Sequence, residues 1–251
     1  MTTIYLKYPL HPITINLIGV GGTGSLVLPR LARLDYALKL LDHPGLMVFA
    51  YDDDIVEEFN IGRQNFSVSD LGKNKAICIT EKCNLSFGLL WEAVPKKYDV
   101  DESSNANINI ICVDNVKFRE EYYKRKRKDD LGNPYEKNYF TIDSGNGKNF
   151  GQVIVSSRVF EGYKNPFEIF PDIKNQDDEF HQGIKGCSYE DSLEKQDLFI
   201  NDRAAVEVCD ILWKLLKGEK LNINGVIFNQ EKMKTLPIKI LKYEKHKLAK
   251  I

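Results

Sequence analysis

Residues 16–24 read NLIGVGGTG: an apolar run that breaks into Gly19, Gly21, Gly22 and Gly24. Four glycines in six residues between a strand pattern and a helix pattern expose backbone N–H groups at a helix N-terminus. There the outward amides and the helix dipole favour a phosphate group. The spacing fits G-x-G-x-x-G, which by itself specifies a nucleotide and nothing narrower.

Working outward, residues 13–18 read as the first strand. Leu26, Leu31, Leu34, Leu38 and Leu41 then recur near helical spacing, predicting a helix to about Leu41 that Asp42-His43-Pro44-Gly45 ends. Residues 46–51 form a second apolar strand, giving a β–α–β unit, the phosphate-binding half of a doubly wound sheet. Residues 1–12 read as an irregular lead-in, and 52–74 as polar and without period. Residues 75–87 read as a helix, with strands at 89–94 and 108–113. Residues 117–130 are highly charged and contain Lys124-Arg125-Lys126-Arg127-Lys128. Glu120, Glu121, Asp129 and Asp130 flank that run, so it reads as a solvated helix end rather than a nucleic-acid patch. Residues 139–143 and 152–160 read as strands joined by Ser144-Gly145-Asn146-Gly147. Residues 161–199 read as a long loop, 202–216 as a helix with Ala205, Val208, Cys209, Leu212 and Leu215 on one face, and 225–230 and 236–241 as a closing strand pair.

The 251 residues carry 35 basic and 36 acidic side chains, so no global charge directs the chain to nucleic acid or membrane. No apolar run reaches the roughly 20 residues of a membrane helix, and the first residues lack signal-peptide character. The expectation is a cytoplasmic protein. The cysteines, Cys78, Cys83, Cys112, Cys187 and Cys209, are odd in number and contain no C-x-x-C, which opposes both a disulfide framework and a zinc site.

A nicotinamide enzyme with this loop usually shows one acidic residue at the end of the second strand and then unremarkable sequence; here a longer constellation follows. Residues 52–64 read D-x-D-x-V-x-x-x-N-x-x-R-Q, and residues 70–75 read D-x-G-x-x-K. Cys112-Val113-Asp114-Asn115 with Arg119 gives D-N-x-x-x-R after a core strand, and a glycine-rich segment ending Gly151-Gln152-Val153 follows. In order and spacing this resembles the ThiF/MoeB and ubiquitin-activating enzyme superfamily, over residues 13 to about 155. The short length, the segment 188–196 and Asn201 most resemble the ThiF-like members of PRTRC gene cassettes.

The resemblance implies a Rossmann-like, doubly wound mixed α/β sheet with helices on both faces. It implies ATP-dependent adenylation of the C-terminal glycine carboxylate of a small ubiquitin-like or sulfur-carrier protein. Attack on the α-phosphate concentrates negative charge, and the residue types suit that task. Gly19, Gly21, Gly22 and Gly24 would hold phosphate. Asp52 would take the ribose hydroxyls, with Asp54 beside it. Asn60 would hydrogen-bond phosphate oxygens without adding charge, and Gln64 is either a site or a turn residue. Arg63 and Lys75 would bring positive charge to the reacting phosphates. Asp114 would hold Mg²⁺, the alternative being a helix cap, with Asn115 and Arg119 in support.

Two features depart from the superfamily pattern. The residues before the first strand contain no arginine to offer across a dimer interface, and the zinc cysteines of many relatives are missing. Cys187 lies in the polar loop between Gly186 and Ser188. It is either a thioester-forming nucleophile or a packed thiol. The sequence thus predicts one adenylation domain over 1–251: a nucleotide-binding core at 13–155, the loop 161–199, and a closing helix and strand pair at 200–251. It is expected to work as a homodimer with no nucleic-acid or membrane partner. Two rivals stand beside this: a nucleotide-binding scaffold without turnover, and an NAD- or FAD-dependent oxidoreductase.

Overall fold

The apolar run before the glycines becomes β1 (Ile13–Ile18), and its neighbours decide where a ligand can sit. A computed structural model describes residues 4–101, 106–125, 138–171 and 196–240. The strands are β2 (Leu46–Tyr51), β3 (Glu92–Val94), β4 (Ile108–Ile111), β5 (Phe140–Asn146), β6 (Phe150–Ser156), β7 (Ile223–Asn229) and β8 (Lys234–Lys239). They form one eight-stranded sheet in the order β3-β2-β1-β4-β5-β6-β7-β8. The first five pair in parallel and the last three antiparallel, so the sheet is mixed and the fold α/β. From β1 the chain moves outward to β2 and β3, then returns to the other side of β1 as β4. The crevice at the carboxyl ends of β1 and β4 is therefore the switch point where open α/β sheets bind ligands.

The sheet's two faces are built differently. Ile13, Ile15 and Leu17 of β1 and Ile108 and Ile110 of β4 face the main core, against α2 (Gly22–Lys39), α3 (Lys75–Phe87) and α6 (Ile200–Leu216). Each fully buried Leu or Ile there stabilises the fold by roughly 1.5–3 kcal/mol. The other face is covered by α4 (Val116–Lys124), whose Phe118 and Tyr122 pack with Ile18, Tyr51 and Ile111. Polar residues share that face with this cluster. Asn16 Nδ2 donates to Asn109 Oδ1 (3.0 Å), Asn109 Nδ2 donates to Tyr122 Oη (2.6 Å), and Tyr122 Oη meets Thr141 Oγ1 (3.0 Å). Buried amides are tolerated because they pair with one another across strands.

Several boundaries differ from the sequence expectations. Residues 1–12 are not wholly irregular: α1 (Ile4–Lys7) is a short helix that buries Leu6. The strand expected at 89–94 shrinks to β3, because Gly88 ends α3 in the left-handed conformation and the chain needs residues 89–91 to turn back. The strand expected at 108–113 stops at Ile111, although Cys112 N still donates to Ile18 O (2.8 Å). Ser144, Gly145 and Asn146 belong to β5 rather than to a turn, paired with Val153, Gln152 and Gly151. Cross-strand pairing overrides their low strand propensity. β6 ends at Ser156, not at 160, because the Ser157 hydroxyl accepts the N–H groups of Val159 and Phe160 and bends the chain away. Helix α6 starts two residues earlier than predicted, at Ile200. Within 161–199, α5 (Pro166–Ile169) is a single turn capped by Asn165.

Candidate functional site

The glycine turn lies between β1 and α2. Gly19 has φ +87°, and a methyl group there would approach Val113 Cγ1 to 2.9 Å, so the turn passes directly under the end of β4. Gly24 has no room for a side chain because the Gly19 carbonyl faces it. Gly21 is the exception: a methyl group would meet no protein atom within 4 Å. Among the described residues no side-chain hydrogen bond caps α2, whose N-cap is Gly21, and its first turn holds no acidic residue. An open face over an uncapped helix start is the geometry an anion requires.

Asp52, at the end of β2, closes one side of the turn. Its carboxylate accepts from Val20 N (2.6 Å) and Asp54 N (2.9 Å), and burial raises its pKa above the usual carboxylate value. The polar stretch that follows is held by two 3₁₀ turns, Glu58–Asn60 and Val68–Asp70. Asn74 both caps α3 and donates to the carbonyls of Asp52 and Asp54, fixing the acidic segment over the helix start. Lys75 is buried on α3 and reaches Asp54 Oδ2 at 2.9 Å, while Asp54 itself remains exposed. Asp53 points outward, 3.8 Å from Lys97. Carboxylate oxygens of Asp52, Asp53 and Asp54 come within 4.8 Å of one another. Asn60 is buried, and its Oδ1 accepts from Glu57 N (2.9 Å), so one end of this amide orders the turn. Gln64 is buried beside it.

Arg63 lies on the other side of the glycine turn, near the charge of Asp114. Burial lowers its pKa, Asp114 opposes that shift, and its Nε finds no acceptor among the described residues. Its segment is anchored to α2 through a gap in the helix. Pro29 lacks the N–H that would bond the Ser25 carbonyl; Asn65 Nδ2 takes that carbonyl (3.3 Å), and Asn65 N donates to Ser25 Oγ (3.0 Å). Asp114 is exposed just past β4. The cap of α4 is Asn115, whose Oδ1 accepts from Phe118 N (2.9 Å), so the helix start does not depend on Asp114. Arg119 is a buried strut: it donates to the carbonyls of Val113 and Ser144 and lies 3.3 Å from Asp143. It thereby ties the Asp114 turn to β5.

Residues from the chain's far half join this site, and local spacing gave no sign of their contacts. Asn201, at the start of α6, is buried against Gly22; its Oδ1 accepts from Thr23 Oγ1 (3.2 Å) and from Asn146 Nδ2 (3.2 Å). Its Nδ2 donates to Gln196 Oε1 (3.4 Å), which accepts from Arg63 Nη1 (2.6 Å). The sequence contained Gln196 and Asn201 only as marks of a subfamily; their partners are 133 and 178 residues away. Cys187 lies outside the described residues. Among the other cysteines, Cys78, Cys83 and Cys209 are buried and Cys112 half-buried. Burial pushes the thiols of Cys83 and Cys209 up to about 11 and about 12, as expected of packing residues.

This architecture has solved counterparts. The chain is similar to E. coli MccB bound to ATP, with a TM-score of 0.61 and 18% identity over 95% of this chain and 66% of MccB. The E. coli MccB complex with AMPCPP and MccA gives 0.63 and 18%, covering 97% of this chain and 67% of that one. PaaA gives 0.60 and 17%, covering 92% and 64%. The chain has the MccB fold. It spans about two thirds of the length of these proteins. No family model matches the sequence, and no curated protein matches it. Among the described residues, no helix is long and apolar enough to cross a membrane.

Proposed function

We propose that this chain is an adenylyltransferase: it uses ATP to activate the C-terminal carboxylate of a small protein, of the ubiquitin-like or sulfur-carrier kind. The observation that carries the reading is the open, uncapped start of α2 with Asp52 on one side and Arg63 and Asp114 on the other. A fold shared with a protein solved with ATP supports it. So does the MccA peptide in another MccB structure, which makes a small polypeptide a reasonable acceptor class.

In this reading the amides at the glycine turn hold the phosphates, and Asp52 orients the ribose. A carboxylate oxygen of the acceptor attacks the α-phosphorus, the bond to the β-phosphate oxygen breaks, and pyrophosphate leaves. Arg63 and Lys75 stabilise the charge on the transferring group. Lys75 is held against Asp54 until phosphate competes for it. Asp114 suits Mg²⁺, being an exposed carboxylate at the switch point that no helix cap claims. The ion, when bound, neutralises phosphate charge. Asn60, Gln64 and Asn115 order the turns that carry these groups. Cys187 is proposed as acceptor of the activated acyl group, forming a thioester and releasing AMP. The working unit is proposed to be a homodimer.

The test is mass spectrometry of a Gly-terminated carrier protein incubated with this chain, ATP and Mg²⁺. An AMP adduct on the terminal carboxylate is expected, absent with Asp114→Ala. No adduct with any such carrier would overturn the reading. A thioester that Cys187→Ala abolishes would place the cysteine in it.

A further inference from the structure

We infer that Gln196 and Asn201 are positioning residues that aim Arg63 at the phosphates while leaving its charge unspent. The inference rests on the nucleotide reading above. A half-buried guanidinium such as that of Arg63 needs acceptors for its sequestered N–H groups, because an unpaired N–H out of water is costly. The usual solution is a carboxylate, whose bidentate pairing fixes the group but neutralises it. Here the described hydrogen-bond partner of Arg63 is a neutral carboxamide, Gln196 Oε1, at 2.6 Å from Nη1, while the Asp114 carboxylate acts on the guanidinium only through its charge. That oxygen also receives Asn201 Nδ2 at 3.4 Å. Asn201 in turn holds Thr23 and Asn146, and its amide covers Gly22 so closely that a methyl group there would lie 2.6 Å from Oδ1.

The result is one connected set: glycine turn, Thr23, Asn201, Gln196, Arg63. It is made of neutral amides and a hydroxyl up to its last member. Asn201 is almost fully buried, at 2% exposure, so its amide has little freedom to leave the set. Arg63 Nε stays without a described acceptor, which leaves the guanidinium able to bind an anion. A network that only stabilised the fold would gain from a carboxylate at position 196. One that aims a charge would be damaged by it.

Gln196→Glu separates these roles. Binding of ATP and of adenosine is measured by calorimetry for the unaltered chain, Gln196→Glu, Gln196→Ala and Asn201→Ala, with thermal unfolding alongside. Gln196→Glu is expected to melt no lower than the unaltered chain, yet to bind ATP about tenfold or more weakly, with adenosine changed less than about twofold. Gln196→Ala should weaken ATP selectively but less. If Gln196→Glu binds ATP as the unaltered chain does, or loses ATP and adenosine equally, the inference is overturned. If the unaltered chain itself binds no ATP, the nucleotide reading fails and this inference with it. Asn201→Ala, should it fold, is expected to copy the selective loss; a folded variant with unchanged ATP affinity would remove Asn201 from the set.

Discussion

At the scale of single residues, Arg119 and His43 make the clearest predictions. Arg119 compensates Asp143, which is fully buried and whose pKa burial raises. Arg119→Ala leaves that charge unpaired, and a loss of about 3–5 kcal/mol is expected in urea unfolding at neutral pH. The loss should shrink in acid, where Asp143 can protonate. His43 is buried; it accepts from Gly45 N through Nδ1 (2.9 Å), so Nε2 donates to Leu6 O (3.0 Å). Only the neutral ring can do both, and burial lowers its pKa. A depressed folded pKa means the contribution is present above the unfolded value of about 6.5 and is lost as pH falls below it. The unaltered chain should lose more thermal stability between pH 7.5 and 5 than His43→Gln does; equal losses would refute the assignment. What the sequence revealed at this scale was the residues whose roles are local. Gly19 to Gly24, Asp52, Arg63, Lys75 and Asp114 each sit in a short motif at a strand end or helix start. Gln196, Asn201 and Asn146 reach the site only through tertiary contacts, and no periodicity announces those.

Between elements, α2 meets the Arg63 segment at the gap left by Pro29. Pro29→Ala restores an N–H that can bond the Ser25 carbonyl, removing a defect worth up to about 3 kcal/mol in an ordinary helix. The helix should therefore keep or gain stability while Asn65 loses an acceptor. Faster hydrogen exchange at residues 61–66, with unchanged exchange in α6, is the expected signature; unchanged exchange at 61–66 would mean that the proline does not organise this segment. The glycine turn gives a second test. Gly21→Ala meets no protein atom and should lower the melting temperature by only a few degrees. Gly24→Ala collides with the Gly19 carbonyl and should destabilise by about 1–3 kcal/mol. Loss of ATP binding in Gly21→Ala despite a sound fold would place the phosphate over that glycine. Element boundaries were harder to read than element types. The helix at 22–39 follows from its leucine spacing and the Asp42-His43-Pro44-Gly45 stop, whereas β5, β6 and the short β3 are set by partners: Gly145 and Asn146 are strand residues because Gln152 and Gly151 lie opposite them.

For the whole molecule, the order of the sheet explains why so scattered a set converges. Placing β1 between β2 and β4 brings the glycine turn, the acidic segment after β2 and Asp114 after β4 to one edge. Returning through β5–β8 and α6 brings Asn146, Gln196 and Asn201 to the same edge. The mixed sheet was legible because parallel strands alternate with helices early and a strand pair closes the chain late. The polar face under α4 was not, since Asn16 and Asn109 sit in apolar runs and pair only across strands. The proposed reaction at this edge is transfer of AMP to a carboxylate. Its most direct measure is ATP–pyrophosphate exchange with a Gly-terminated ubiquitin-like protein, compared with the same protein carrying a C-terminal amide. Exchange is expected to require the free carboxylate and to fall at least about a hundredfold with Arg63→Ala or Asp114→Ala, in keeping with the loss of one preorganised group at a site of charge development. Exchange that ignores the acceptor's C-terminus, or none while ATP binds tightly, would contradict it.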